Sequence, residues 1–265
     1  MRRGLAAAAA TFGLTLMTAC TSGTHTAAPQ PTAAPQPTAS AVGAGGNCQP
    51  LLDGAKPVRF GSKGSELAGD EWGNGEVGVV FAHEADIDSC SWIPYAKGLA
   101  GMGYRALTFD FAGFGGSGTT PRDDLPDEVA AAATFLRSEG ATKIVLIGAS
   151  MGGTAVVAAA PQIVPPVTAI VSLSGPESYG SANAVGNAPK ITQPLLVICA
   201  AMDGDFVPSA HSIYEAAKKS SHRQLSIIPD TSLHGYRLVD PNGLPEQQAV
   251  DDLRNFLRTY APPTA

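Results

Sequence analysis

Apolar and polar residues fall into short blocks that recur in a fixed order along most of this chain. Val77 to Ala82, Ile144 to Ile147, Val167 to Leu173 and Leu195 to Cys199 are predominantly apolar runs, rich in β-branched residues. Runs of that length with no polar face predict strands buried on both sides, as in a parallel sheet. Tyr104 to Phe109 and Gln224 to Ile228 read as two further strands. Between the strands, Ser91 to Met102, Asp123 to Glu139, an Ala-rich run from Thr154, Ser209 to Lys219 and Glu246 to Tyr260 read as helices. The second of these opens with acidic residues, where the helix dipole favours them. Val58 to Phe60 and Glu66 to Trp72 lead the series as short strands on either side of the turn signal Gly61-Ser62-Lys63-Gly64. Repeated strand–helix units with short connections predict an α/β fold, with a mostly parallel central sheet covered by helices on both faces.

The first residues break this pattern. Arg2 and Arg3 precede an apolar run from Leu5 to Met17 that is too short for an ordinary membrane span and fits a secretory signal. Thr21 to Gly46 is Ala, Pro, Thr, Gln, Ser and Gly, with Ala-Ala-Pro-Gln-Pro-Thr-Ala at 27–33 and again at 33–39. That composition buries too little apolar surface to offset its chain entropy, so it predicts a disordered spacer. The expected division is therefore a signal at 1–19, a tether at 20–46 and a folded domain at 47–265. Met17-Thr18-Ala19-Cys20 resembles the lipobox of bacterial lipoproteins. The resemblance implies that Cys20 is lipidated and anchors the protein to the outer face of the cell membrane. A plain signal peptide cut nearby, releasing a secreted protein, is the alternative.

Composition narrows the partners. The chain is 44% hydrophobic with a formal net charge of −6 and shows no basic patch, which argues against nucleic acid. Export permits disulfides. With Cys20 lipidated, Cys48, Cys90 and Cys199 remain; Cys199 ends a predicted buried strand and reads as core, which leaves Cys48 and Cys90 as the expected bridge. No Cys/His/Asp group has ligand spacing, so neither a metal nor an organic cofactor is expected.

The candidate chemistry centres on Gly148-Ala149-Ser150-Met151-Gly152, which follows a buried strand and precedes a helical run. In G-x-S-x-G the backbone turns so sharply that a serine hydroxyl is held up at the strand end, and the helix N-terminus leaves amide N–H groups free beside it. Three other motifs accompany it: Asp110-Phe111-Ala112-Gly113-Phe114-Gly115-Gly116-Ser117 after the preceding strand, the strand end Leu195 to Asp203, and a late His234-Gly235. In this order and spacing they resemble the α/β-hydrolase superfamily over essentially the whole domain.

A serine hydroxyl is a poor nucleophile near neutral pH and needs a base. Of the five histidines, His25 lies in the tether, and His211 and His222 fall in or beside an amphipathic helix. The resemblance implies a structural role for His83 at a central strand end and makes His234, between the last strand and last helix, the base for Ser150. It also implies an acid after Leu195–Cys199. Asp203 fits when counted from the strand; Asp205 competes when counted back from Val207-Pro208, with Glu177 a distant third. By the same analogy the oxyanion hole comes from the backbone N–H groups of Met151 and Ala85. Glu84 departs from the family pattern, which has glycine there. A carboxylate aimed at a developing oxyanion opposes catalysis, so Glu84 is expected to point away, to be neutralised, or to mark reduced activity.

Only about twenty residues, Ser174 to Gln193, separate the strands before and at the acid, which predicts a minimal cap and an open cleft. Phe111, Phe114, Trp92 and Tyr179 are the aromatic candidates to line that cleft, with core or rim packing the alternative for each. The reading is a serine hydrolase of carboxylic esters or related acyl compounds, acting through Ser150, His234 and Asp203 on a small-molecule substrate. An acyltransferase using the same triad, and a non-catalytic binding lipoprotein that retains the fold, stay open as alternatives.

Overall fold

The computed structural model describes Cys48 and residues 51–118 and 124–263. The expected signal at 1–19, the lipidated Cys20 and the tether at 20–46 lie outside the described residues.

The chain opens with a hairpin, β1 (Lys56–Ser62) and β2 (Ser65–Trp72), whose register pairs Ser62 with Ser65. β1 runs into the expected Gly61–Gly64 turn through Gly61 and Ser62, and β2 begins directly after it at Ser65. Only Lys63 and Gly64 are left to reverse the chain, at φ 41° and 86°. Two residues at positive φ match the right-handed twist of the flanking strands, which makes this short loop favourable. The remaining main strands are β3 (Val77–Ala82), β4 (Arg105–Phe109), β5 (Lys143–Ala149), β6 (Ala169–Leu173), β9 (Leu195–Ala200) and β10 (Arg223–Ile228). They form an eight-stranded sheet in the order β1-β2-β4-β3-β5-β6-β9-β10. The hairpin pairs with β4 antiparallel, and every pairing from β4 to β10 is parallel. The expected α/β architecture with its mostly parallel sheet is the one observed.

Side chains alternate across this sheet with period two, so each central strand feeds two cores. Val80, Ala82, Ile144 and Leu146 face α2 (Leu125–Ser138), α3 (Met151–Ala159) and α5 (Phe206–Ala216). Val79, Phe81, Val145 and Ile147 face α1 (Ile93–Gly101) and α6 (Gln247–Tyr260). This explains why the central strands read as continuous apolar runs. At about 25 cal/mol per Å² of apolar surface, burial on both faces makes the middle of the sheet the main source of stability.

Helix starts differ from the sequence reading for local reasons. α3 begins at Met151, not Thr154, so Gly152 and Gly153 are helical despite their low propensity; all nine residues of α3 are buried, and packing overrides propensity. α5 begins at Phe206, ahead of the expected Ser209, because Pro208 is tolerated in a first turn. α1 begins at Ile93, with Ser89–Trp92 forming a 3-10 turn in which the Asp88 carboxylate accepts the Cys90 N–H at 3.0 Å.

Between β6 and β9 the chain forms a hairpin of two-residue strands, β7 (Ser178–Tyr179) and β8 (Ala182–Asn183), the single-turn α4 (Ala184–Asn187) and a 3-10 turn, Ala188–Lys190. A small cap of this kind is what the segment's length predicts. Cys48 and Cys90 form a disulfide with their Cα atoms 5.6 Å apart, and Cys199 is a buried free thiol. The bridge ties the start of the described domain to the loop before α1, across a sequence separation of 42. Loop-closure entropy for that separation is about 4 kcal/mol. Cys48→Ser with Cys90→Ser is therefore expected to lower unfolding stability by about 2–4 kcal/mol in urea titration.

Candidate active site

β3 pairs with β4 on one side and β5 on the other, so the chain changes direction across the sheet at this point. In open α/β sheets such a switch leaves a crevice beyond the C-terminal strand ends. Ser150 stands there, directly after β5. Its backbone has φ 50° and ψ −118°, a region that non-glycine residues rarely occupy and that costs about 1–3 kcal/mol. Packing holds it there. A Cβ at Gly148 would lie 2.2 Å from the Gly152 carbonyl oxygen, and one at Gly152 would lie 2.2 Å from the Ala82 carbonyl oxygen. Two glycines therefore allow strand, turn and helix to approach each other and β3. Backbone bonds complete the clasp: Ser150 N–H donates to Leu173 O at 2.9 Å, and Gly152 N–H to His83 O at 3.1 Å.

His234 lies in the loop between β10 and α6, and Asp203 in the loop after β9. His234 Nδ1 is 3.0 Å from each Asp203 carboxylate oxygen. Backbone bonds tie the acid-bearing segment to the end of β10 and the loop after it: Ala201 N–H donates to Ile228 O at 2.8 Å, and Met202 N–H to Thr231 O at 3.0 Å. Asp203 is 8% exposed and His234 30%, so their attraction acts largely away from water. Burial pushes the His234 pKa down, but the Asp203 hydrogen bond and charge, together with the Glu84 charge, outweigh it and leave the imidazole above its ordinary value. The Asp203 carboxylate also accepts the Cys199 thiol at 3.8 Å, and burial with the Asp203 charge pushes that thiol up to about 12. Cys199 is thus a neutral neighbour and no nucleophile.

The three candidate acids occupy different environments. Asp203 faces His234. Asp205 is exposed as the N-cap residue of α5, and its side chain makes no capping bond. Glu177 is exposed in the cap, where its carbonyl accepts the N–H groups of Ala184 and Val185.

His83 is fully buried and carries a defined tautomer. Its Nε2 accepts the Phe111 N–H at 3.1 Å, so the proton is on Nδ1, which donates to Glu84 O at 2.7 Å. Burial pushes its pKa down, so the ring stays neutral and braces the turn after β4. In that turn the buried Asp110 accepts the N–H groups of Ser89 at 2.9 Å and Gly116 at 2.7 Å. The D-x-x-G-x-G-x-S segment is therefore a floor built around one carboxylate. Met151 and Ala85, the expected oxyanion donors, begin α3 and follow Glu84; among the described residues neither backbone N–H has a protein acceptor. Ser150 Oγ and His234 are likewise not hydrogen-bonded to each other among the described residues.

Trp92 and Phe111 take the core alternative rather than lining a cleft. Both are fully buried: Trp92 donates its indole N–H to Ala82 O at 3.1 Å, and Phe111 packs on Phe109 and His83. A large apolar side chain beside a tight turn is drawn into the core, and neither position carries a polar group that needs solvent. Phe114 is half-buried against the His83 ring at 4.9 Å, and Tyr179 is exposed on the cap hairpin. Two residues missed by sequence reasoning also stand at the site. Phe206 packs its ring 4.3 Å from that of His234, and the Ser174 hydroxyl accepts the Gly235 N–H at 3.1 Å. Neither has a motif; each becomes visible only when the loops converge.

The side chain of Glu84 reaches the loop after β10. Its Oε1 accepts the Tyr236 N–H at 2.9 Å, in the loop that carries His234. Gly235, at φ 59°, leaves room for this contact, since a Cβ there would lie 1.6 Å from the same oxygen.

Residues 81–186 match the family described as alpha/beta hydrolase fold. No curated protein matches the sequence. Among solved structures, an esterase of Pyrococcus furiosus superposes with a TM-score of 0.69 at 20% identity, covering 83% of this chain and 96% of its own. A dienelactone hydrolase from Anabaena variabilis superposes with a TM-score of 0.62 at 23% identity, covering 78% and 97%. A malate-bound esterase from Thermogutta terrifontis gives 0.61 at 17% identity, covering 77% and 99%. With its sheet order, its serine elbow on β5 and its histidine loop after β10, the chain has the α/β-hydrolase fold.

Proposed function

We propose that the protein is a serine hydrolase of carboxylic esters or related acyl compounds. The observation that carries this reading is the Asp203–His234 pair, held at 3.0 Å on loops that converge beside the strained Ser150 elbow. Asp203 engages Nδ1 and leaves Nε2 as the proton acceptor. Ser150 Oγ attacks the carbonyl carbon as its proton passes to His234 Nε2. The imidazolium formed is stabilised by Asp203, and the negative charge on the carbonyl oxygen meets the Met151 and Ala85 N–H groups at the start of α3 and after β3. Collapse breaks the bond to the leaving alcohol, which takes the proton from His234. Water, deprotonated by the same nitrogen, then attacks the acyl-enzyme and restores Ser150.

Glu84 and the choice of acid gave slight support to a non-catalytic reading; the bond of Glu84 to the Tyr236 N–H and the pairing of Asp203 with His234 favour the catalytic one. The small cap favours an open cleft. The solved structures of similar fold include proteins named as esterases and a dienelactone hydrolase, which agrees with ester chemistry. We further propose, from the lipobox-like Met17–Cys20 alone, that a lipid on Cys20 holds this domain at the outer face of the cell membrane.

Fluorophosphonate probes react readily only with an activated serine, so the soluble domain is expected to be labelled at Ser150, and His234→Ala to abolish labelling, as read by peptide mass spectrometry. A folded protein that takes no label rejects the hydrolase reading. Asp203→Asn is expected to lower kcat by about 10³–10⁴-fold, whereas Asp205→Asn stays near wild type in ester-hydrolysis assays. The general base must be neutral, and the His234 pKa is raised. Activity should therefore rise with pH through an acid limb above about 6.5, the ordinary histidine value. In the residual activity of Asp203→Asn that limb should move to lower pH.

A further inference from the structure

The loop carrying His234 has two consecutive amides, Gly235 and Tyr236, and each is received by a side chain from a different strand end. Gly235 N–H donates to the hydroxyl of Ser174, which follows β6, at 3.1 Å. Tyr236 N–H donates to Oε1 of Glu84, which follows β3, at 2.9 Å. β3 and β6 are the two neighbours of β5 in the sheet. The histidine loop is thus held from both sides of the strand that delivers Ser150. Two further features mark this as a built contact. Gly235 presents no Cβ where one would fall 1.6 Å from Glu84 Oε1, so the close approach depends on glycine there. Ser174 itself adopts φ 48°, and its own N–H donates to Ile198 O at 2.8 Å, which anchors its backbone.

We propose that Glu84 and Ser174 are positioning residues that clamp the His234 loop across the elbow strand, with Glu84 coupling the oxyanion loop to the general base. The proposal rests on the hydrolase reading for its catalytic consequence but not for its structural one. Glu84 immediately precedes Ala85, the expected second oxyanion donor. A single side chain therefore sets the distance between the loop that holds the oxyanion and the loop that moves the proton. The Glu84 side chain reaches from the end of β3 to an amide in the loop after β10. Its charge has a second effect. Around Glu84 stand His234, Arg237 and Asp203; burial pushes the Glu84 carboxyl up, while the Tyr236 N–H, His234 and Arg237 oppose that rise. In return the Glu84 charge adds to that of Asp203 in raising the His234 pKa.

Two variants separate the hydrogen bond from the charge. Glu84→Gln keeps a side-chain oxygen for the Tyr236 N–H and loses the charge; Glu84→Ala loses both. Hydrogen exchange of the Tyr236 amide and the NMR titration of the His234 ring read the clamp without requiring turnover. The expected results are a protected Tyr236 amide in wild type and Glu84→Gln, faster exchange in Glu84→Ala, and a His234 pKa that falls in Glu84→Gln. In ester hydrolysis Glu84→Ala is expected to lower kcat by about 100-fold with KM little changed, the scale of loss for a catalytic group displaced by about 1 Å. Glu84→Gln should recover most of that loss, with its acid limb shifted to lower pH. Unchanged Tyr236 exchange in Glu84→Ala overturns the clamp, as does a Glu84→Gln protein in which that amide exchanges as fast as in Glu84→Ala. A wild-type protein with no turnover but with these exchange and titration shifts would reject the hydrolase reading and leave the clamp standing.

Discussion

The close approach of three backbones at the end of β5 is the constraint on which the site depends. Strand, turn and helix meet at contacts that leave no space for a Cβ at Gly148 or Gly152, and β3 presses on the same turn through Ala82 and His83. That contact forces Ser150 out of ordinary φ/ψ space. The strain is maintained because the elbow sits between two cores, one on each face of the sheet, whose burial far exceeds about 1–3 kcal/mol of local cost. A serine in a relaxed turn would lie down along the strand end. Here it stands at the mouth of the crevice, with the first amides of α3 beside it.

Sheet order then decides what can meet the serine. Because β3 and β6 flank β5, the segments after these strands are within reach of the same point, and the loops after β9 and β10 arrive from one side. The loops that carry Asp203 and His234 are joined by main-chain bonds as well as by their side chains, so the Asp203–His234 contact is held in place from two directions. Little entropy remains to be lost when the pair works. Electrostatics adds direction. Asp203 is the better buried partner, so its charge is poorly screened and acts on the imidazole at close range.

Glu84 illustrates how a departure from a family pattern can be absorbed. In the expected oxyanion loop a carboxylate threatens the negative charge the loop is meant to stabilise. The side chain reaches the Tyr236 amide instead, across a gap that Gly235 leaves open. A residue that would be harmful in one rotamer becomes a tie between loops in another. His83 and Asp110 serve the same end beneath it: a neutral buried ring and a buried carboxylate satisfy backbone donors that the tight turn after β4 would otherwise strand in the core.

Much of this was legible along the chain. Unbroken apolar runs such as Val77 to Ala82 can only be strands buried on two faces, and the helices between them require parallel connections, so the fold class and strand sequence followed from periodicity. Ser150 was legible because its turn needs glycines at fixed offsets, which leaves a local pattern. The choice between Asp203 and Asp205 was not, since a shift of two positions in a loop reverses whether a side chain faces the histidine or solvent, and no local rule sets that direction. Trp92 and Phe111 were indistinguishable from cleft residues until the packing of α1 and the turn after β4 drew them inside. The Glu84–Tyr236 and Ser174–Gly235 contacts join residues 152 and 61 positions apart and leave no periodic trace. The sequence by itself determined what is governed by short-range spacing: the elements, the sheet type and the serine elbow. Only the tertiary structure decided which side chains meet across converging loops, because those meetings depend on strand order and loop direction, which single residues do not encode.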